Sequence, residues 1–403
     1  MRTSKPWHEG RRLYFPRRAR MKLSGLKVLD LSLFLPGPMV TLMMADHGAD
    51  VIKIEPAGAG EPTRSIGEVK NGLSVYFRNT QRGKRSIQLD LKSPEGQAVF
   101  RRLAAEADVL IEAYRPGVAD RLGVGYDAVR AINPGIVYAS LSAFGQDGRY
   151  RDRPAHDLAV QALAGTLPLG ADKDGAPVMP GTLTADALSS LTALAGVLMA
   201  LYRREKTGEG DYLDISMFDA VIAWTPHATG SVFARGEAPD LASSRFWGGA
   251  ALYGLYETAD HRWIALGGSE LKFAETLLEG LGRPDLIAAA KLPPGVDQAP
   301  LHAFLREAFG ARTQDQWVDW FTGRDVCFAP VRTLKEAFDD PFLAERGMLS
   351  RDADGSEVVG SAIRFRAEPA RINPHAPGKN EHGAEISARG WEASPPALNT
   401  ETR

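Results

Sequence analysis

Short apolar runs alternate with helical patterns along the first half of the chain. The Leu- and Val-rich run LKVLDLS precedes an apolar helical stretch at residues 39–47 and a second strand pattern at 49–54. A strand, a helix and a strand within about thirty residues form a βαβ unit, which implies a parallel sheet. The order recurs, so the sequence predicts a doubly wound α/β domain. Further strands are predicted at 85–91, 109–112, 136–141 and 212–216, with a helix at 93–107.

The pattern changes near residue 225, where Gly, Ala and Ser become frequent. Residues 253–266 predict an antiparallel strand pair with a turn at 259–261, and helical patterns follow at 270–281 and 299–309. We therefore expect a smaller α+β domain at 225–325, inserted into a large domain formed by 23–224 and by a return at 326–385. The Pro-rich and polar residues 386–403 are expected to form a surface tail.

The first twenty residues are strongly basic, with seven Lys and Arg residues and a single acid, Glu9. They lack the apolar segment of a secretory signal. We expect residues 1–22 to be a disordered basic extension, or 1–20 to precede a start at Met21.

Charge and cysteine content narrow the function classes. The formal net charge of −2 gives no electrostatic reason to expect nucleic acid or an anionic membrane as a partner. The single cysteine, Cys327, excludes an internal disulfide and fits a cytoplasmic protein. The longest apolar stretch, 188–201, is too short to span a bilayer and predicts a buried helix rather than a membrane segment.

Phosphate and metal motifs are absent from the sequence. Neither G-x-G-x-x-G nor G-x-x-x-x-G-K-[ST] occurs, and the prolines of the segment LPGP at 35–38 remove backbone donors. Arg82, Lys84 and Arg85 precede a strand, where they could bind a phosphate or form a solvated strand end. The eight histidines show no metal-ligand spacing, so no metal site is predicted.

Three acidic positions precede predicted helices. Asp186 opens the apolar helix, Asp157 follows His156 after an arginine-rich loop, and Glu270 follows a Gly-Gly-Ser segment. An acid in the first turn satisfies free N–H groups and complements the helix dipole. The same placement can hold an ionised carboxylate as a nucleophile or base. Spacing alone leaves both readings open.

Seven stretches of the chain resemble the class III CoA-transferase family, the CaiB/BaiF group, which also contains α-methylacyl-CoA racemase. This resemblance implies an interlocked homodimer in which each chain has a Rossmann-like large domain, built from both chain ends, and a small domain. The stretches are LSGLKVLDLSLFLPGPMVTLMMADHGADVIKIEP, RGKRSIQLDLKSPEG, ADVLIEAYRPGVADRLGV, NPGIVYASLSAFGQDG, HDLAVQALAG, LTADALSSLTALAGVLMALYRREKTGEGDYLDISMFDAV and CFAPVRTLKEAFDDPFLAERGML.

The resemblance implies that a CoA thioester is a substrate rather than a permanently bound cofactor. It assigns CoA contacts to strand-end positions of the large domain, and Arg85 of the basic cluster is added to them. Ala113 stands where the family commonly has Asn, which weakens that contact. The expected CoA-binding residues are Phe34, Leu35, Pro36, Leu89, Ala113, Tyr114, Arg121 and Arg85.

In the transferases, the resemblance assigns the catalytic aspartate to Asp186, which passes CoA from an acyl-CoA to a carboxylic acid through anhydride and thioester intermediates. In the racemases, the matching aspartate works with a histidine, here His156, which a glutamate, here Glu270, supports. The sequence around Glu270, SELKF, differs from the racemase pattern and favours a transferase. The glycine-rich loop of the formyl and oxalyl subgroup is missing, which argues against formate or oxalate. A lapsed acyl-CoA binder is the third hypothesis.

Overall fold

The computed structural model describes residues 21–172 and 174–393. The predicted basic extension therefore lies almost entirely outside the described residues. The strands are β1 Lys27–Asp30, β2 Asp50–Pro56, β3 Val69–Lys70, β4 Leu73–Ser74, β5 Arg85–Leu89, β6 Val109–Glu112, β7 Val137–Ser142, β8 Asp211–Ser216, β9 Tyr253–Glu257, β10 Trp263–Gly267, β11 Phe328–Pro330, β12 Leu349–Arg351 and β13 Glu357–Val359.

Helices connect most of these strands. They are α1 Pro36–Asp46, α2 Val75–Gln81, α3 Pro94–Ala104, α4 Val118–Arg121, α5 Tyr126–Arg130, α6 Asp157–Leu163, α7 Thr184–Thr207, α8 Met217–Ala223, α9 Thr229–Arg235, α10 Leu271–Gly280, α11 Ala299–Gly310, α12 Gln314–Phe321, α13 Leu334–Asp339, α14 Pro341–Glu345 and α15 Gly383–Arg389.

A six-stranded sheet of order β5-β2-β1-β6-β7-β8 is the main sheet of the chain. The pairs β1–β2, β1–β6, β2–β5 and β6–β7 are parallel. When only the six strands of this sheet are numbered along the chain, their spatial order is 3-2-1-4-5-6, which is the order of a Rossmann sheet. The doubly wound α/β prediction is therefore confirmed, and each predicted strand is present within one or two residues of its predicted ends.

The chain divides into two compact units. Among the described residues, unit 1 comprises 21–141, 190–214 and 347–393, and unit 2 comprises 142–172, 174–189 and 215–346. The sequence placed the corresponding boundaries near 225 and 325. The difference at 142–189 has a physical cause, because Val160 and Ala185 pack with Met217 and Val221 in one buried cluster. An α/β pattern along the sequence does not reveal which core a segment joins.

The core of unit 1 lies against the six-stranded sheet and includes residues from the far end of the chain. Ile386, Trp391 and Ala393 are buried in it, and the Trp391 indole N–H donates to the Leu103 carbonyl at 2.9 Å. The sequence predicted a surface tail at 386–403. Its described part, 386–393, instead contributes residues to the core of unit 1, and 394–403 lie outside the described residues. The polar and Pro-rich composition of the region hid the few apolar residues that anchor it.

The long helix α7 is the one helix of the described residues that is long and apolar enough to cross a membrane by length and composition alone. Core helices pass the same test. Here Ala193 and Val197 are buried, and the Arg204 guanidinium binds the Asp108 carboxylate at 2.8 Å. Residues 190–207 thus pack in unit 1, and the predicted buried helix at 188–201 is only half buried.

Unit 2 contains an antiparallel sheet of order β11-β10-β9. The predicted strand pair at 253–266 is confirmed as β9 and β10, joined by a turn in which His261 has a φ of 57°. The predicted helices at 270–281 and 299–309 are confirmed as α10 and α11. Phe309 and Trp317 lie at the centre of the aromatic core that these elements share.

Candidate functional site

The carboxyl ends of the parallel strands in unit 1 gather most of the predicted CoA-binding residues. Asp30 of β1 is paired with Ile111 of β6, so the loops that follow these strands leave the sheet side by side. The chain reverses its direction of travel across the sheet between β1 and β6, and ligands of doubly wound sheets bind in the crevice at such a switch point. Phe34, Leu35 and Pro36 follow β1, Leu89 ends β5, Ala113 and Tyr114 follow β6, and Arg121 ends α4.

Arg85 does not join this group. Its side chain is buried, and its guanidinium binds the Asp50 carboxylate at 2.5 and 3.0 Å and the Ala393 carbonyl at 3.0 Å. We therefore remove Arg85 from the predicted CoA-binding residues. The other two cations of the same cluster are also buried, and both are paired: Arg82 binds Asp46 and Lys84 binds Asp30. The basic cluster is an internal ion-pair system and is neither a phosphate site nor a solvated strand end.

A buried carboxyl group supports the second strand-end loop. Glu112 ends β6, and its Oε2 accepts a hydrogen bond from the Tyr114 backbone N–H at 2.7 Å. Burial raises the pKa of Glu112 to about 7, against hydrogen bonds that lower it. This residue therefore holds the backbone of the loop that carries Ala113 and Tyr114.

In unit 2, Asp186 lies in the first turn of α7 beside a second aspartate. Asp157, the first residue of α6, directs its Oδ1 at the backbone N–H groups of Ala185, at 2.7 Å, and of Asp186, at 3.2 Å. Gln161 Nε2 donates to the other carboxylate oxygen of Asp157 at 2.6 Å. Asp157 thus caps α7 from a neighbouring helix and fixes the backbone that carries Asp186.

This arrangement raises the pKa of Asp186 to about 7, first because its carboxyl is buried and second because the Asp157 charge repels it. The side chain retains a small opening to solvent, with 9% of its surface exposed. A first-turn aspartate with free helix N–H groups would show a lowered pKa instead. Asp157 occupies the position at the helix terminus that would otherwise lower the pKa of Asp186.

The backbone N–H groups at the N-terminus of α7 are hydrogen-bonded within the chain. The Thr184 N–H donates to the Thr182 carbonyl and the Ala187 N–H to the Leu183 carbonyl, each at 3.0 Å. With Ala185 and Asp186 bound to Asp157, the four N–H groups from Thr184 to Ala187 all have partners within the chain. These groups are therefore not available to stabilise a reaction oxyanion in this conformation.

His156 and Glu270 are both solvent-exposed residues of unit 2. His156 is the N-cap residue of α6 and directly precedes Asp157, so the structure connects it to the Asp186 region through adjacent backbone. Glu270 occupies the N-cap position of α10, at the end of the loop after β10. Their assigned acid–base roles stay predictions.

Sequence reasoning missed the part that Asp157 plays. It treated the residue as the cap of its own helix, whereas the carboxylate caps α7, 28 residues further along the chain. It also missed Glu112 as the support of the Tyr114 backbone. The only available signal was an acid next to each assigned residue, which is too common to be specific.

Unit 1 thus has a Rossmann-type strand order, and unit 2 has a buried aspartate whose pKa is near neutrality; each feature is typical of an α/β enzyme. Residues 23–383 match the family model described as CoA-transferase family III, and the chain belongs to that family.

Named relatives span both branches of this family. An acetyl-CoA:oxalate CoA-transferase from Acetobacter aceti is 34% identical, with 92% of this chain and 96% of the relative covered. A succinyl-CoA–D-citramalate CoA-transferase from Chloroflexus aurantiacus is 30% identical, with 90% and 92% covered. The human alpha-methylacyl-CoA racemase is 33% identical, with 81% and 82% covered.

The fold is also that of a solved family structure. The crystal structure of a CaiB/BaiF family protein from Brucella suis matches this chain with a TM-score of 0.79 and 30% identity, with 92% of this chain and 99% of the other covered. The Rossmann-like sheet expected from the resemblance is thus shared with a known member.

Proposed function

We propose that this enzyme transfers CoA from an acyl-CoA to a free carboxylic acid through covalent intermediates on Asp186. The observation that carries the proposal is the Asp157–Asp186 arrangement. The Asp157 carboxylate fixes the backbone of Asp186, and burial, together with the Asp157 charge, raises the pKa of the Asp186 side chain to about 7. A carboxylate of raised pKa is a stronger nucleophile than an ordinary aspartate, and with a pKa of about 7 an ionised fraction of Asp186 is present at neutral pH.

The proposed transfer has four steps. A carboxylate oxygen of Asp186 attacks the donor thioester carbonyl, the C–S bond breaks, and CoA leaves as a thiolate. The thiolate attacks the Asp186 carbonyl of the mixed anhydride, which releases the donor acid and leaves an aspartyl-CoA thioester. The acceptor carboxylate attacks this thioester and expels the thiolate again. The thiolate then attacks the acceptor carbonyl, so the new acyl-CoA leaves and the Asp186 carboxylate is restored.

We propose a dicarboxylic acid as the acceptor. Oxalate and D-citramalate, in the names of two similar transferases, are both dicarboxylates. In unit 2, the guanidinium groups of Arg149 and Arg153 lie 4.6 and 5.7 Å from the centre of the Tyr150 ring, a few residues before His156. Two cations held on one ring could bind the carboxylate that does not react. The missing glycine-rich loop argues for an acid larger than oxalate.

The racemase is the second candidate function. The exposed His156 directly precedes the residue that caps α7, and one similar relative is a racemase. In this reaction one of His156 and Asp186 removes the α-proton of a 2-methylacyl-CoA and the other returns a proton from the opposite face. Glu270 would support the histidine.

We also propose that the chain works as a homodimer. Leu191, Leu198, Met199 and Tyr202 form an exposed apolar stripe along α7 at helical spacing. Such a stripe on a soluble enzyme is typical of a protein interface. The interlocked form of the dimer rests on the resemblance.

One incubation separates these functions. The protein is mixed in heavy water with acetyl-, succinyl- and 2-methylacyl-CoA and a panel of mono- and dicarboxylic acids, and the thioesters are analysed by mass. New CoA esters of the dicarboxylic acids, lost in Asp186→Ala, are the expected result. Deuterium at the α-carbon without acid exchange, lost in His156→Ala, would instead establish the racemase. CoA affinity with neither product would leave a binding protein.

A further inference from the structure

The loop that follows β1 has a strained residue at its tip. Phe34 adopts a φ of 64°, in the left-handed region that is unfavourable for any residue other than glycine. Its side chain is 37% exposed, at the position assigned to CoA contact. A strained backbone at a functional position persists only where surrounding groups hold it.

A buried glutamate holds this backbone. The Phe34 N–H donates to Glu61 Oε1 at 2.9 Å, and the same oxygen accepts a hydrogen bond from the Thr63 hydroxyl at 3.2 Å. The Glu61 backbone N–H donates to Glu55 Oε2 at 2.8 Å, which fixes the position of Glu61 in turn. The contact between Phe34 and Glu61 spans 27 residues, so it is not part of a local turn.

Four fully buried charges extend from Glu61 to the start of α1. Lys53 Nζ lies 3.2 Å from Glu61 Oε2 and 3.4 Å from Asp30 Oδ1, and it also donates to the Ser32 carbonyl at the base of the loop. Asp30 accepts hydrogen bonds from the Ser32 hydroxyl at 2.5 Å and from Lys84 at 3.0 Å. Lys84 donates to the Pro38 carbonyl in α1 at 2.9 Å.

This network touches the loop at both of its ends and at its tip. It contains two carboxylates and two ammonium groups, so its charges balance. Buried ion pairs contribute little net stability, because the desolvation penalty offsets their attraction. They fix geometry more effectively than they stabilise a fold, so their role is to set the shape of the loop.

We infer that Glu61 is a positioning residue for CoA binding, which holds Phe34 in its left-handed conformation through the Lys53–Asp30–Lys84 network. The inference rests on the proposed CoA binding by the loop at residues 34–36. Glu61 acts through the Phe34 backbone and does not itself need to contact the ligand.

The test compares Glu61→Ala and Glu61→Gln with the wild type in calorimetric titrations with free CoA. Glu61→Ala removes the acceptor of the Phe34 N–H and should weaken CoA binding about tenfold, since a hydrogen bond to a charged group is lost. Glu61→Gln retains the acceptor oxygen and loses only the charge, so it should bind CoA with intermediate affinity. In kinetics, KM for the acyl-CoA should rise more than kcat falls.

A matched control is Asp46→Asn, which disrupts another buried ion pair of unit 1, with Arg82, at the end of α1 opposite to the loop. It should lower the melting temperature and leave CoA affinity unchanged. Hydrogen exchange of the peptide that contains Phe34 should accelerate in Glu61→Ala and not in Asp46→Asn. If Glu61→Ala does not fold, the CoA affinity and the hydrogen exchange of Glu61→Gln are compared with those of the wild type and of Asp46→Asn.

The outcomes separate this inference from the proposed function. A wild type that binds no CoA would overturn the proposed function, while the exchange rates would still decide whether Glu61 holds Phe34. If the wild type binds CoA and both Glu61 variants bind it equally well, the positioning role is wrong. An equal loss of affinity in Asp46→Asn would also contradict it, because the effect would then reflect general destabilisation.

Discussion

At the scale of single residues, the chemistry of Asp186 depends on competition with Asp157. A helix N-terminus can favour only a limited amount of negative charge, and Asp157 already accepts the hydrogen bonds that a first-turn aspartate would use. Asp186 is left buried beside a like charge, and its pKa rises to about 7. The sequence showed an acid at the right place, but not that another acid would change its protonation.

The raised pKa makes the stability of the wild type fall with pH in a predictable window. The folded protein binds a proton at Asp186 up to about pH 7, whereas the unfolded chain releases it near 3.8, so the free energy of unfolding falls between these values. Asp186→Asn does not titrate. The free energy of unfolding of Asp186→Asn, measured relative to that of the wild type, should therefore be higher at pH 8 than at pH 5 by on the order of 2 kcal/mol. Thermal melts at both pH values measure this, and an equal difference at both would contradict it.

Asp157 should set the pH dependence of activity. Asp157→Asn retains an oxygen that can accept from the α7 backbone but removes the repelling charge, so the pKa of Asp186 should fall. The acidic limb of the pH profile of kcat/KM should move to lower pH by up to about one unit. In the control Asp172→Asn, which removes the charge of an aspartate in an exposed turn of the same unit, the limb should not move. If the acidic limb of the Asp157→Asn profile stays at the wild-type pH, the claim that the Asp157 charge raises the pKa of Asp186 is wrong.

At the scale of elements, local sequence determined most of what could be predicted. The helix predicted at 93–107 is present as α3, and Ser93, just before Pro94, caps it: its Oγ accepts a hydrogen bond from the Gly96 N–H at 3.0 Å. Helix α1 begins at Pro36, three residues before the predicted start, because proline suits the first turn of a helix as well as a loop. The capping of α7 by Asp157 and the burial of Arg85 were beyond prediction, because both depend on partners distant in sequence.

The strand β8 requires a glycine immediately before it. A Cβ atom on Gly210 would lie 1.9 Å from the Ile136 carbonyl oxygen, a backbone atom that cannot move aside easily. Gly210→Ala should therefore reduce the free energy of unfolding by about 2 kcal/mol or more. Gly230→Ala is the control, since a Cβ there has no neighbour within 4 Å and alanine favours the helix α9. Denaturant unfolding of both variants checks this, and similar stabilities would contradict it.

At the scale of the whole molecule, composition and local pattern predicted the α/β class but not the assignment of segments to the two units. The far C-terminal residues Ile386 and Trp391 join the core of unit 1 across most of the chain length. Helix α7 contributes residues to each unit, and its apolar stripe is exposed in the single chain.

We expect that stripe to be an interface between two copies. Sedimentation should give twice the chain mass of 43.6 kDa for the wild type. Leu198→Glu places a charge in the stripe and should shift the protein toward the monomer, since an unpaired charge is unfavourable in a buried interface. Val296→Glu, at an exposed apolar residue of unit 2, should leave the mass unchanged. A monomeric wild type would contradict the proposed dimer.

The covalent role of Asp186 is tested most directly by mass analysis of the protein after reaction with a donor. Wild-type protein incubated with succinyl-CoA or acetyl-CoA, quenched and digested, should yield a peptide that contains Asp186 and carries CoA as a thioester. Asp186→Ala should give no such adduct and no transfer. Transfer of CoA to a free acid without an adduct at Asp186, or with an adduct on another residue, would contradict the account.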